Sequence, residues 1–119
     1  MDTVQVLSAT TLIGDQVRNS EGERLGKIED LVIDLDAGRI AYAVLSFGGF
    51  LGIGDKLFAI PWSAMSMDQE EKEFVLDVDK ETLKRAPGFD KDNWPNMADR
   101  RWGEQIHKYY RRTPYWESH

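Results

Sequence analysis

A nine-residue stretch, RIAYAVLSF at positions 39–47, restricts the fold of this chain more than any other part of the sequence. In an extended strand, successive side chains point to opposite faces. Ile40, Tyr42 and Val44 then share one face, and the other face carries Ala41, Ala43, Leu45 and Phe47. Because both faces are apolar, we predict a strand with one face towards a barrel interior and the other covered by further structure.

Turn-forming residues divide the neighbouring sequence into further short strands. NSEG at 19–22 is typical of a hairpin connection, since Gly22 can adopt a positive φ. DAG at 36–38 is a second connection, between LGKIEDLVIDL and RIAYAVLSF. KLFAIPW and EFVLDV alternate like strands, and Pro61 ends the first because it lacks an amide donor. About five such strands predict an all-β fold, a small and strongly bent antiparallel β-barrel, because closure removes exposed strand edges.

The sequence pattern changes after Val78, which predicts two parts. Residues 1–78 form a barrel-like β domain, and residues 79–119 form an aromatic-rich extension with short helices. Asp79 is placed to cap a short helix, KETLKRA, and the following FDKDNWP is interpreted as a linker. Asn96 is placed to cap a second helix, MADRRWGEQIHKYY. Gly103 weakens this helix by about 1 kcal/mol relative to alanine, so the helix needs a surface to pack on.

Candidate catalytic and metal-binding residues are few, and none has partners at the spacing that its chemistry needs. His107 and His119 lack a second ligand at H-x-x-x-H spacing, and we predict His107 on the helix surface. Asp34 and Asp36 share a strand face, but DLDAG lacks the third ligand, the correctly placed glycine and the distal glutamate of a calcium loop. The chain has no cysteine, and its serines lack a G-x-S-x-G context. The sequence therefore predicts no enzyme, no catalytic or metal-binding residues and no cofactor.

Residues 46–62, SFGGFLGIGDKLFAIPW, concentrate glycines in the manner of a phosphate-binding loop. Asp55 stands before Lys56, however, and Leu57 takes the place of the hydroxyl residue that reaches Mg²⁺. A strand follows, whereas phosphate-binding loops lead into a helix N-terminus. We interpret the stretch as a bend with an apolar tip. Burial of each tip side chain is worth about 1.5–3 kcal/mol, which makes three of them candidate interaction residues: Phe50, Leu51 and Ile53.

The C-terminal region interleaves aromatic residues with basic ones. Residues 91–119 carry a net charge of +2, whereas residues 1–90 carry −8, which disfavours general nucleic-acid binding. Arginine beside aromatic rings can stack on single-stranded RNA. The candidate nucleic-acid contacts are Arg100, Arg101, Arg111 and Arg112. The favoured interpretation is that an apolar stripe at helical spacing packs on the barrel or on a second subunit. The candidate interaction residues there are Trp102, Ile106, Tyr109, Tyr110 and Trp116.

Hydropathy predicts a cytoplasmic protein. The longest run without charge, residues 40–54, is too short and too rich in glycine to span a bilayer as a helix. The first residues, MDTVQVLSATTLIG, lack the basic region and the long apolar stretch of a signal peptide. We therefore predict no transmembrane segment.

The stretch LIGDQVRNSEGERLGKIEDLVIDLDAGRIAYAVLSFGGFLGIGDKLFAIPWSAM resembles the PRC-barrel domain, from Ser8 to Val78. The marks that carry the resemblance are Gly14, Gly22, Gly26, Asp34 with Gly38, and the GGFLGIG and AIPW blocks. The final YYRRTPYW is similar to tails on stand-alone bacterial members. The family includes the cytoplasmic domain of the photosynthetic reaction-centre H subunit and the C-terminal domain of a ribosome-maturation factor. The resemblance implies a small bent β-barrel that docks macromolecules and has no activity of its own.

These observations together predict a non-enzymatic protein-interaction and assembly module that forms a homodimer and binds a further, unidentified protein partner. Two alternatives stay open. The first is an RNA- or ribosome-associated factor that uses the basic-aromatic tail. The second is a docking partner of a membrane complex in photosynthesis or electron transfer.

Overall fold

The computed structural model describes residues 7–47, 56–68, 70–71 and 73–117. Its strands are β1 (Gln16–Arg18), β2 (Arg24–Asp34), β3 (Arg39–Phe47), β4 (Lys56–Pro61), β5 (Met65–Asp68), β6 (Glu73–Leu76) and β7 (Phe89–Asp90). Its helices are α1 (Ala9–Leu12), α2 (Lys80–Lys84) and α3 (Arg100–Tyr109), with 3-10 turns at Trp62–Ala64 and Tyr115–Glu117. The strands form one sheet in the order β5-β6-β1-β2-β3-β4-β7. The predicted all-β class with short helices is confirmed.

The sheet differs from the predicted antiparallel barrel in two respects. It has two ends, β5 and β7, and within the described ranges no strand pairing joins them. In addition, β1 pairs with β6 in parallel, with Val17 opposite Phe74. No hairpin connects these two strands, because the chain passes through β2 to β5 before it reaches β6. Their relative direction is therefore not fixed by turn residues that a sequence pattern reveals.

The β2–β3 hairpin is the longest pair in the sheet, and turn chemistry shapes it as predicted. The Asp34 carboxylate accepts a hydrogen bond from the Ala37 amide at 3.0 Å, and Gly38 has a φ of 65°. The register of β2 against β3 shifts twice, once between Ile28 and Asp30 and once between Val32 and Ile33. At Gly26 a Cβ atom would lie 2.1 Å from the carbonyl oxygen of Ser46, so only glycine fits between these two backbones.

Burial on both faces of β3 is confirmed. Every residue from 41 to 47 is at most 7% exposed. One face is covered by the C-terminal region, where the ring of Tyr42 contacts Trp102 of α3 with centroids 5.2 Å apart. The other face packs into the main core, in which Phe47 meets Phe58 of β4 edge to face. Both faces of β3 thus contribute to one buried cluster, which also includes Ile106 and Tyr110 of the C-terminal region.

The C-terminal region confirms one predicted helix start and corrects another. The Asp79 carboxylate accepts from the Thr82 amide at 2.7 Å and caps α2. The predicted cap at Asn96 is wrong, because α3 begins at Arg100 and its cap is Asp99, which accepts from the Arg101 amide. Asn96 instead closes a preceding turn through the Ala98 amide at 3.1 Å. The stretch interpreted as a linker contains β7, a two-residue strand paired with β4 and too short to show alternation.

Candidate interaction site around the C-terminal strap

Residues 114–117 lie across the sheet near the C-terminal end of the described residues, and we call this segment the strap. It fills a cleft between the β2–β3 hairpin and α3. Beside the strap, a groove of about 520 Å³ runs along the hairpin and is lined in part by Ile33, Leu35 and Tyr42. Leu35 is 87% exposed and Ile33 is 50% exposed, so the hairpin end presents apolar side chains at the mouth of this groove.

His107 lies beneath the strap and not on the helix surface, so the prediction for it was wrong. Its side chain is fully buried. The Nδ1 atom is 2.7 Å from the carbonyl oxygen of Gly103, and the Tyr115 amide lies 3.2 Å from Nε2. A carbonyl only accepts and an amide only donates, so Nδ1 carries the hydrogen, Nε2 accepts, and the ring is neutral. Burial accordingly lowers the pKa of His107 from its usual value.

Gly103 has a packing role that sequence reasoning missed. A Cβ atom at this position would lie 2.8 Å from the Tyr42 hydroxyl oxygen and 2.8 Å from the Trp116 ring. The glycine therefore lets α3 approach two aromatic rings closely, and it is not only a weak point in the helix. The sequence signal for this contact was a glycine four residues before a histidine, which places both on one face of the helix. That spacing does not reveal which strand or strap packs against this face.

Tyr115 of the strap is held at three points. Its hydroxyl donates to the Asp34 carboxylate at 2.6 Å, and its carbonyl accepts from the Arg39 guanidinium at 3.2 Å. Its amide is the donor to His107 described above. The bond from Tyr115 holds the pKa of Asp34 below its usual value. Burial, together with this carboxylate, raises the pKa of Tyr115 to about 12, so the phenol stays protonated as a donor.

The remaining tail residues singled out in the sequence are used within the chain. Trp116 packs between the His107 ring, 5.5 Å away, and the guanidinium of Arg100, 5.4 Å from its centroid. Ile106 and Tyr110 are buried in the core, and the Tyr109 hydroxyl donates to the Thr82 carbonyl. The other three arginines of the set, Arg101, Arg111 and Arg112, are exposed.

A second groove, of about 470 Å³, lies beside β7. Its lining includes Lys56, Gly88, Phe89 and Trp94. Trp94 contacts Phe89 with ring centroids 5.1 Å apart and still keeps 41% of its surface exposed. The predicted apolar tip, Phe50, Leu51 and Ile53, lies outside the described residues. The segment that carries this tip joins the sheet at Lys56, at one side of this groove.

Among the described residues, no group of three or more histidine, cysteine, aspartate or glutamate side chains is arranged to hold a metal ion. Over the same parts of the chain, every helix falls short of the length and apolarity that crossing a membrane requires.

Comparison with protein-family models identifies the family of this chain. The family model of the PRC-barrel domain matches residues 5–83. The chain belongs to the PRC-barrel family. No curated protein matches the sequence. Family membership indicates a protein-interaction or assembly module of a non-catalytic kind. The matched residues include Asp34, Arg39 and Tyr42 from one wall of the strap cleft, whereas α3 and the strap follow the matched region.

Proposed function

We propose that this PRC-barrel protein is a non-enzymatic assembly module whose copies associate as a dimer. The observation that carries the proposal is the second groove, where Trp94 remains 41% exposed although it packs against Phe89. Tryptophan in a groove is an anchor residue of the kind that dominates protein–protein interfaces. A partner that covers it would remove apolar surface from water.

The sequence supplies an apolar complement to this groove. Phe50, Leu51 and Ile53 precede Lys56 in the chain, and Lys56 lines the groove. In a twofold dimer, the apolar segment of each copy contacts the groove of the other, so every contact is made twice. Self-association through these two surfaces is the arrangement that we favour.

The test is the solution mass, measured by light scattering over a concentration series, of the wild type and of a Phe50→Ser/Leu51→Ser variant. We expect a dimer for the wild type and a smaller or less stable species for the variant, because two apolar contacts are lost in each copy. Leu7→Ser is the matched control, since Leu7 is about half exposed and lies outside the groove. Equal masses and equal melting temperatures for the wild type and the double variant would overturn the proposal.

RNA binding is a second candidate, supported by the exposure of Arg101, Arg111 and Arg112. Two observations oppose it. The rings of Trp102 and Trp116 pack against their own chain, so they are not free to stack on bases. Residues 1–90 also carry a net charge of −8, which repels phosphates. Single-stranded RNA added to the same mass series at low salt should therefore leave the mass unchanged.

A further inference from the structure

We propose that the strap cleft is an exchangeable docking site, and that its occupant in trans is the strap of a second copy of this chain. The proposal rests on the self-association proposed above, which brings two clefts and two straps together. In the structure the cleft holds the strap of its own chain. Exchange would replace these contacts with the same contacts between copies.

The cleft binds Tyr115 through polar groups that define a specific ligand. The Asp34 carboxylate at 2.6 Å requires a hydroxyl donor at the tip of the ring. Arg39 at 3.2 Å and the Nε2 atom of His107 at 3.2 Å take the carbonyl and the amide of the same residue. Side chain and backbone are thus both bound, which is how proteins recognise a short peptide.

The shape of the cleft recognises the ring of Trp116. This ring lies so close to Gly103 that a Cβ atom there would be 2.8 Å away, and the Arg100 guanidinium covers it from outside. Together the two positions select a tyrosine followed by a tryptophan. Positions 115–116 of this chain supply that pair.

The connection from α3 to the strap, residues 111–113, is exposed. Arg111, directly after the C-terminal cap of α3, has a φ of 58°, a conformation that side chains other than glycine rarely adopt. The Arg111 and Arg112 amides donate to the carbonyls of Lys108 and His107 at 3.1 and 2.8 Å, so this positive φ belongs to a hydrogen-bonded helix end. Beyond Arg112 the connection is short and exposed, and a bound segment that follows such a connection can exchange between copies.

We favour a second copy over another partner for two reasons. Its strap can make every contact described above, and the rest of its chain can cover surface that a single chain leaves exposed. In a lone chain the short connection keeps the strap in its own cleft. When two copies are held together, the local concentration of the second strap becomes comparable and exchange can compete. Ile33 and Leu35, exposed at the mouth of the groove beside the strap, would then be covered by the incoming chain.

The first measurement uses a full-length, ¹⁵N-labelled Tyr115→Ala/Trp116→Ala variant, whose cleft is empty, and a synthetic peptide of residues 112–119, RTPYWESH. The peptide should shift the amide signals of Arg39, Gly103 and His107 in a saturable manner. A control peptide with phenylalanine in place of tyrosine should bind about tenfold weaker or worse, since it lacks the hydrogen bond to a charged group. If the double variant does not fold, full-length Tyr115→Ala serves in its place. Equal affinity for both peptides would overturn the proposal.

The second measurement adds unlabelled wild-type chain to the labelled variant at concentrations where light scattering shows a dimer. The same three signals should move towards their wild-type positions. Unlabelled double variant is the control and should move none of them. A dimer with unchanged signals would overturn strap exchange and leave the proposed self-association intact. A wild type that stays monomeric at every concentration would instead contradict the proposed self-association. It would also rule out a second copy as the occupant of the cleft.

Discussion

At the scale of single residues, the C-terminal region depends on two positions that face the same ring cluster. Gly103 lets α3 approach Tyr42 and Trp116, and His107 joins the helix to the strap through both ring nitrogens. Each of these roles needs one feature of the residue, the absence of a side chain in the first case and a neutral ring in the second. Both features can be tested by single changes.

Gly103→Ala should destabilise the protein, although the same change stabilises an open helix by about 1 kcal/mol. The new methyl group would meet the Tyr42 hydroxyl at 2.8 Å, and Tyr42 is buried at 1% exposure with little room to move. We expect a loss of roughly 1–3 kcal/mol in the free energy of unfolding, measured by urea denaturation. Gln105→Ala, on the exposed side of α3, is the control and should change it by less than about 0.5 kcal/mol. A gain in stability for Gly103→Ala would contradict the close packing.

The protein should lose stability as the pH falls below about 6.5, the ordinary pKa of histidine. The pKa of His107 is lowered in the folded chain, so between that lowered value and the ordinary one the unfolded chain binds more protons. The contribution of the neutral ring is therefore fully present above pH 6.5 or so and is lost as the pH falls through this window. The rings of Tyr42, Tyr115 and Trp116 surround His107. The Gly103 carbonyl and, to a smaller extent, Glu117 favour the charged ring, and burial outweighs both.

The measurement is the melting temperature of the wild type and of His107→Gln, each at pH 7.5 and at pH 5.5. The wild type should lose more on acidification than the variant, which has no imidazole to charge at this position. His119 is present in both proteins and cancels. The same pH dependence in the two proteins would mean that His107 is not the group that titrates.

At the scale of secondary structure elements, local chemistry made the β2–β3 hairpin and α2 predictable. Their turns and caps use side chains adjacent in sequence, such as Asp34 with Ala37 and Asp79 with Thr82. The start of α3 was predicted three positions too early, because Asn96 and Asp99 are both good capping residues. Only tertiary packing decides between them, and a sequence pattern does not contain that packing.

Asp99→Ala should therefore destabilise the protein more than Asn96→Ala. Asp99 caps α3 through the Arg101 amide at 2.9 Å, and removal of a helix cap of this kind costs about 1 kcal/mol. Asn96 accepts from Ala98 in a turn outside the helix, and we expect a loss of less than about 0.5 kcal/mol there. Urea denaturation of the two variants compares them directly. The opposite order of stability would show that the helix starts at the earlier residue in solution.

At the scale of the whole molecule, the candidate interaction site brings together residues from both sides of the boundary predicted at Val78, such as Asp34 and Tyr115. The change of pattern after Val78 predicted a β domain and an extension, and the PRC-barrel match ends nearby, at residue 83. One wall of the strap cleft belongs to the matched domain and the other follows it. Charge and periodicity indicated that the tail packs on something, but a pairing such as Asp34 with Tyr115 joins residues far apart in sequence and no local pattern predicts it.

During synthesis, β1 emerges well before its parallel partner β6. Its antiparallel neighbour β2 follows within a few residues, but the parallel partner of Val17 is Phe74, which leaves the ribosome seconds later at typical elongation rates of about 5–20 residues per second. The first strand therefore emerges with one edge open, while the rest of the sheet is still being made. The strap follows every described strand in the chain, so a chain cut before residue 114 would keep all these strands and lose the Tyr115 ring that packs edge to face on Tyr42.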